Sequence, residues 1–323
     1  MTYEPCFVGL DVGATTMKAA VVNDSGRPLS LPLSAKTEPA KGQDHGLRTM
    51  ASAIRRAIVA AGLSVDRLSA IGIATPGTMD IGAGMMIEPP NMKPWRNVPV
   101  RQFIEDEFNL PTAFQNDANA AALGESWVGA GRGVRSFALF TLGTGIGGGI
   151  VLAGKVIEGE HSHGAELGHI KIEMTNGRQC GCGQRGCLEA YASATAVVAR
   201  SRELLEETGQ PSRLRDVADL SAKAVFQAAA AGDALAEQIV EDTARYLAIG
   251  AATVMHVIDP EVIAFGGGMA EAGEAFLDRI RSHVHSVAFP IPAQKCRILK
   301  AQLGSDAGVI GAAGCARQLW LNR

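Results

Sequence analysis

The sequence has almost no net charge: 30 lysines and arginines against 33 aspartates and glutamates leave a formal −3 over 323 residues. No block of like charge appears, so there is no basic footprint for nucleic acid or for an acidic lipid surface, and the expected partners are small molecules. The opening stretch MTYEPCFVGLDVG lacks a basic start, an apolar run of signal-peptide length and a cleavage site. The expected location is the cytoplasm, where thiols stay reduced. An uninterrupted apolar span is missing too. Ser136 to Gly154, SFALFTLGTGIGGGIVLAG, comes nearest, but its central glycines would weaken a helix severely and read as strand, glycine-rich loop, strand, so no membrane partner is expected. Neither a Gly-Lys-Ser/Thr phosphate loop nor a GxGxxG opening a helix with a downstream acid occurs.

What is present is a hydrophobic fraction of 47%, enough for a sizeable core. Short strands are expected at Phe7 to Val12, Met17 to Asn23 and Leu29 to Thr37. Leu47, Met50, Ile54, Ile58 and Ala61 then recur at the spacing of one buried helical face. A strand at Ala70 to Ala74, a long loop TPGTMDIGAGMMIEPPNMKPW, a helix near Val100 to Phe108, a strand at Thr112 to Gln115 and a helix from Ala118 complete a first α/β unit. A second unit opens at Ser136 with a similar device: FVGLDVGATT and FALFTLGTGIGGG are each an apolar strand running into a glycine–threonine turn, which suggests a duplicated architecture. Helices at Ala194 to Glu207, Ala222 to Ala231 and Ala234 to Ile258 lead to a strand at Val262 to Phe265, a further helix, a strand at Arg297 to Leu303 and a terminal helix from Ala307.

Three glycine turns follow apolar strands: DVGATT (Asp11 to Thr16), LGTGIGGG (Leu142 to Gly149) and FGGGM (Phe265 to Met269). Strand ends are where α/β sheets place ligand loops, and bare amides with threonine hydroxyls suit phosphate oxygens. Asp11 stands among those amides, with Thr15, Thr16 and Lys18 nearby. A carboxylate there either holds a Mg²⁺ that shields it from the phosphates or caps its own turn. FQNDANAAALGE sets Asn116 and Asp117 where a strand ends and a helix starts. Asp117 reads either as a helix N-cap or as a general base taking a proton from an alcohol in line with a terminal phosphate.

Of the six cysteines, Cys6, Cys296 and Cys315 are scattered among apolar neighbours and read as core. The others form a cluster with His169: His169, Cys180, Cys182 and Cys187 have the form H-x10-C-x-C-x4-C, a closed Cys₃His set that suits structural Zn²⁺. Redox chemistry fits less well, since CxxC spacing is absent.

Together, DVGATT, TPGTMD, NDANAAALGE, LGTGIGGG, HGAELGH and CGCGQRGCLEAYAS resemble the ROK family of sugar kinases and related repressors over essentially the whole chain. The resemblance implies an actin-like ATPase fold of the ribonuclease H-like duplicated α/β type. It implies two domains, 1–125 with 305–323 and 126–304, and a sugar bound in the interdomain cleft. Asp117 is similar to the family's catalytic base, acting on the 6-hydroxyl of a hexose. Asn116, Glu166, His169 and Glu189 resemble its sugar ligands, with Gly77 and Asn91 as outer contacts. Asp11, Gly13, Thr15, Thr16 and Lys18, Gly143, Thr144, Gly145 and Gly147, and Gly266, Gly267 and Gly268 resemble its phosphate and adenosine contacts. The implied cofactors are ATP with Mg²⁺, and the implied assembly is a homodimer or homotetramer. Glucose is the leading substrate; N-acetylmannosamine, N-acetylglucosamine or fructose is the alternative. A sugar-sensing repressor fits less well, because the family's repressors carry a helix-turn-helix ahead of the first phosphate turn, which begins here at residue 11. His161 and His163 depart from the usual small, polar loop and are expected to be solvent-exposed, to contact the substrate or to compete for metal.

Overall fold

A computed structural model describes residues 4–89 and 91–323. β1 (Cys6–Val12), β2 (Thr16–Asn23) and β3 (Leu33–Lys36) form an antiparallel meander. After α1 (Gln43–Ala60), β4 (Ala70–Thr75) pairs parallel with β1. β5 (Thr78–Asp80) and β6 (Met85–Glu88) form a small hairpin; α2 (Val100–Phe108), β7 (Thr112–Asn116) and α3 (Asp117–Val128) follow, with β7 parallel to β4. The chain then runs through β8 (Ser136–Leu142), β9 (Ile146–Leu152), β10 (Lys155–Val156), α4 (Glu189–Ala192), α5 (Ala194–Glu207), α6 (Ala222–Ala230) and α7 (Ala234–Ile258). It finishes with β11 (Val262–Gly266), α8 (Glu274–Val287), α9 (Pro290–Lys295), β12 (Arg297–Lys300) and α10 (Ala307–Leu321).

Two five-stranded sheets share one plan: β3-β2-β1-β4-β7 and β10-β9-β8-β11-β12. The weak repeat in the sequence is therefore a repeat of topology. Residues 136–152 form β8, a glycine turn and β9, and among the described residues no helix is long and apolar enough to cross a membrane.

Three readings of local structure need correction, the first being that the strand expected over Arg297 to Leu303 stops at Lys300. The strand expected over Leu29 to Thr37 is only Leu33–Lys36, because Pro28 and Pro32 have no N–H to give to a ladder. The stretch expected as a long loop after Ala74 contains the β5–β6 hairpin, closed around Ala83 N–H donating to Asp80 Oδ1 (2.8 Å).

Backbone contacts divide the chain into two compact units, Met1–Gly133, Gly149–Ala165 and Leu303–Arg323 in one, Val134–Gly148 and Glu166–Gln302 in the other. The expected boundaries put all of 126–304 in one domain, but residues 149–165 group with the first unit for local reasons. A Cβ on Gly149 would lie 2.9 Å from Ala118 O of α3, Gln115 Nε2 donates to Glu158 Oε1 (2.7 Å), and Ile81 N–H donates to Ser162 Oγ (3.0 Å).

In the first unit, Leu47, Met50, Ile54 and Ile58 of α1 pack with Val8, Leu10, Ile71 and Ile73 of the sheet. Each such fully buried side chain stabilises the fold by about 1.5–3 kcal/mol. α10 packs on the sheet through Ala313 and Ala316, which cluster with Phe7, Val22 and Ala70. It sits so close that a Cβ on Gly72 would fall 1.8 Å from Ala312 O, and one on Gly311 would fall 1.7 Å from Ala120 O of α3. In the second unit α7 lies against β8, where a Cβ on Gly250 would fall 3.5 Å from Phe140 Cε1, and Phe140 stacks on Phe265 of β11 at 5.2 Å.

Candidate active site

The turn between β1 and β2 is built by its own backbone. Gly13 N–H donates to Thr16 O (2.9 Å), Thr37 N–H to Thr15 O (3.0 Å) and Thr37 Oγ1 to Gly13 O (2.7 Å). These bonds leave the Thr15 and Thr16 side chains exposed at the tip. Asp11 lies behind that tip against the first turn of α10, where a Cβ on Gly308 would come within 2.3 Å of its Oδ2. Burial pushes the Asp11 carboxyl up to about 6, with Lys18 pulling the other way. Lys18 is already committed: its Nζ donates to Ser305 O (2.8 Å), Ser305 Oγ (3.1 Å) and Asp306 Oδ1 (2.9 Å). It ties β2 to the segment entering α10.

β7 ends the first sheet as an edge strand and runs straight into α3. Asn116, not Asp117, is the N-cap: its Oδ1 accepts from Ala118 N (2.9 Å) and Asn119 N (3.2 Å). Asp117 is thus the first helical residue, half-buried, with Oδ1 accepting from Ala118 N (2.8 Å). A helix N-terminus favours negative charge at this position. The Asn116 cap engages its oxygen and leaves its amide nitrogen to donate. At the other end of α3, the fully buried Glu125 accepts from Ala130 N–H (2.8 Å) and Leu303 N–H (2.7 Å), fixing where the C-terminal segment starts.

The second unit carries the other two turns at the ends of the parallel strands β8 and β11, where Gly266 pairs in register with Thr141. Gly143 N–H donates to Gly145 O (3.0 Å), and Ala194 N–H to Gly143 O (2.9 Å). Thr195 Oγ1 donates to Thr144 O (2.8 Å). Gly267 has φ +84°, and a Cβ there would lie 2.5 Å from Leu142 O, so the two turns touch and only glycine fits. Gly267 and Gly268 are exposed; Gly147 lies inside β9, beyond the turn. Glu189, the first residue of α4, reaches this turn: its Oε2 accepts Ile146 N–H at 2.8 Å.

The other oxygen of Glu189 faces the cysteine cluster, with Cys180 Sγ donating to Oε1 at 3.5 Å. Ligand atoms of His169, Cys180, Cys182 and Cys187 all lie within 4.8 Å of one another. His169 Nδ1 is 3.8 Å from Cys180 Sγ, and the Cys182 and Cys187 sulfurs are 3.7 Å apart. Thiolates at about 2.3 Å from one tetrahedral ion stand about 3.7 Å apart, so the donor set and its spacing fit zinc. Without a cation burial pushes the Cys180 thiol up to about 12. Lys171 Nζ donates to Cys187 Sγ (3.0 Å) and Arg185 O (2.9 Å), and a β-bridge between Lys171 and Cys187 aligns the two. The turn is anchored further by Tyr191, whose hydroxyl accepts Arg178 N–H (2.8 Å) and whose carbonyl accepts from the buried Arg200 (3.0 Å).

Of the remaining sugar candidates, Gly77 (φ +86°) follows β4, Asn91 is exposed, and Glu166 is exposed ahead of a short 3₁₀ turn, Leu167–His169. His161 and His163 are both exposed, and His163 Nδ1 lies 2.5 Å from His161 O. Cys296 and Cys315 are buried, with thiols pushed up to about 12 by burial, as neutral core residues. Sequence reasoning missed Gln115, Glu125, Lys171 and Arg200. Glu125 and Gln115 stand inside a quoted motif, but no local pattern reveals that their partners come from distant parts of the chain.

Two sheets of one topology, each opening on a glycine–threonine turn, are the frame of the actin-like ATPase fold. The ROK hexokinase of Thermus thermophilus superposes with a TM-score of 0.86 at 34% identity, over 98% of this chain and 100% of that one. Residues 7–319 match the ROK family, and the chain belongs to it. A glucokinase of Halalkalibacterium halodurans is 37% identical over 97% of this chain and 95% of that protein. The structure of a ROK glucokinase from Streptomyces griseus in complex with glucose and AMPPNP superposes with a TM-score of 0.77 at 34% identity, over 97% of this chain and 99% of that one.

Proposed function

We propose that this chain is an ATP-dependent hexose kinase that phosphorylates the 6-hydroxyl of glucose. The observation that carries the reading is the turn from β7 into α3, where Asn116 caps the helix and Asp117 stands as its first residue. Asp117 takes the proton of the sugar hydroxyl as that oxygen attacks the terminal phosphorus; the bond from phosphorus to the bridging oxygen breaks and ADP leaves. Phosphoryl transfer asks mainly for positioning and charge stabilisation, and one carboxylate with amide cradles suits it. Asn116, Glu166, His169 and Glu189 bind the sugar, with Gly77 and Asn91 as outer contacts. The turns at 13–16, 143–145 and 266–268 receive the nucleotide.

Mg²⁺, when bound, offsets phosphate charge, and Asp11 is the carboxylate that anchors it. Zn²⁺ at His169, Cys180, Cys182 and Cys187 is structural: a closed four-ligand set has no open position for water. Liganded through Nδ1, the His169 ring is fixed and keeps Nε2 for a sugar hydroxyl. Free thiols in such a site suit the reducing cytoplasm. The enzyme works as a homodimer or homotetramer.

The test is ADP release over a panel of glucose, fructose, N-acetylglucosamine and N-acetylmannosamine with ATP, GTP and polyphosphate as donors. Glucose with ATP gives the highest kcat/KM. Asp117→Asn leaves sugar binding nearly intact and lowers turnover at least about a hundredfold. Turnover near wild type in that variant removes Asp117 from the base role, and sugar binding without any turnover moves the chain to the family's sugar-sensing regulators.

A further inference from the structure

We infer that Glu158 and Gln115 form a clamp that sets the orientation of Asp117, so that Glu158, remote from the proposed chemistry, is a positioning residue. The inference rests on the reading of Asp117 as the base. Asn116 lies at the end of an edge strand, so its N–H has no neighbouring strand on that side to receive it. The buried Gln115 side chain supplies the acceptor instead: its Oε1 takes Asn116 N–H at 2.8 Å and Asn119 Nδ2 at 3.4 Å. A glutamine amide serves this purpose only one way round, since the flipped amide would set its own N–H groups against two donors. What fixes the orientation is Glu158 Oε1, an obligate acceptor when ionised, 2.7 Å from Gln115 Nε2.

Glu158 is itself held from behind. Ile157 N–H donates to Ile150 O (2.9 Å), and Gly164 N–H donates to Glu158 O (2.7 Å). Gly159 turns the loop at φ +73°, and Ser162 Oγ receives Ile81 N–H at 3.0 Å. The loop after β10 is thus a braced arm that presents one carboxylate to the residue two positions ahead of the base.

The decisive experiment is a reciprocal exchange read through kcat. Gln115→Glu sets two carboxylates against each other and lowers kcat about tenfold or more, because small displacements of a reacting group are costly in rate. Glu158→Gln alone changes kcat less than about threefold, since a glutamine oxygen still accepts from Gln115. The double variant Gln115→Glu with Glu158→Gln restores the bond with its polarity reversed and recovers most of the lost kcat. In an Asp117→Asn background Gln115→Glu causes no further loss, as groups acting through one another are not additive.

Failure of the double variant to recover activity, or an equal fold-loss in the Asp117→Asn background, overturns the clamp. A near-wild-type Asp117→Asn sinks the base assignment instead, whatever the exchange shows. Melting temperatures of all variants, expected within a few degrees of one another, separate misplacement from unfolding.

Discussion

The turn after β1 keeps an acid of its own, Asp11, half-buried against α10, whereas the turn after β8 contains no acid and borrows Glu189 from a helix 43 residues downstream. Both turns occupy the same place in sheets of the same order. The first desolvates its carboxylate, which pushes Asp11 up to about 6. The second holds its carboxylate by a hydrogen bond from Ile146 N–H, with the cysteine cluster behind it. The duplicated frame therefore carries one turn with a desolvated acid of its own and one braced by an acid brought from a later helix.

The largest expected effect comes from removing the acid of the first turn. Asp11→Asn lowers turnover about a hundredfold or more, by loss of the Mg²⁺ anchor. The same change raises the melting temperature at pH 7 to 8. The sign follows from linkage: a carboxyl whose folded-state value is raised contributes stability at low pH that is lost as pH climbs through about 6. An asparagine has no such loss, so the difference between variant and wild type shrinks to nothing toward pH 4. A variant less stable than wild type at pH 7 would show that Asp11 is not held by desolvation.

Removing the zinc proposed at the cluster should break the second turn and spare the first. Chelation is expected to raise hydrogen exchange of the amides at 142–147 and 187–196 while leaving 11–16 unchanged, because Glu189, which accepts Ile146 N–H, follows Cys187 of the cluster by two residues. Equal deprotection of both turns would erase the distinction.

A smaller, sharper contrast lies within the second turn. A Cβ on Gly145 would fall 2.3 Å from Glu189 Oε2, while one on Gly143 meets nothing nearer than 4.0 Å. Gly145→Ala is expected to raise the KM for ATP about tenfold, and Gly143→Ala to change it little, in steady-state assays. The smallest effect is at Lys171, whose ammonium sits 3.0 Å from Cys187 Sγ. Lys171→Gln should weaken zinc retention about tenfold against a competing chelator, the scale of a lost outer-shell hydrogen bond, and Lys171→Arg should retain it.

Periodicity made the long elements readable. The helices Val100–Phe108, Ala194–Glu207 and Ala234–Ile258 were legible to the residue, since each buries one face over several turns. The gathering of His169 with Cys180, Cys182 and Cys187 was legible because residue type and spacing are local facts. The β5–β6 hairpin was not: at three and four residues it is too short to show alternation among prolines and glycines. Neither was the tie between Glu189 and Ile146, nor that between Gln115 and Glu158, because a hydrogen bond across 43 residues leaves no periodic trace. Lys18 shows the converse, a residue whose place beside a phosphate turn suggested anion binding and whose charge is spent on Ser305 and Asp306.

α10 fills the sheet of the first unit from the far end of the chain, seated where Gly72 and Gly311 leave no room for a side chain. During synthesis the amino-terminal sheet therefore keeps one face open until α10 has emerged from the ribosome. By then residues 134–148 and 166–302 have already emerged, so the later-encoded unit is free to fold first. A stall or truncation shortly before residue 307 would leave a folded second unit joined to a first that exposes Phe7, Val22 and Ala70, a surface for chaperones to find.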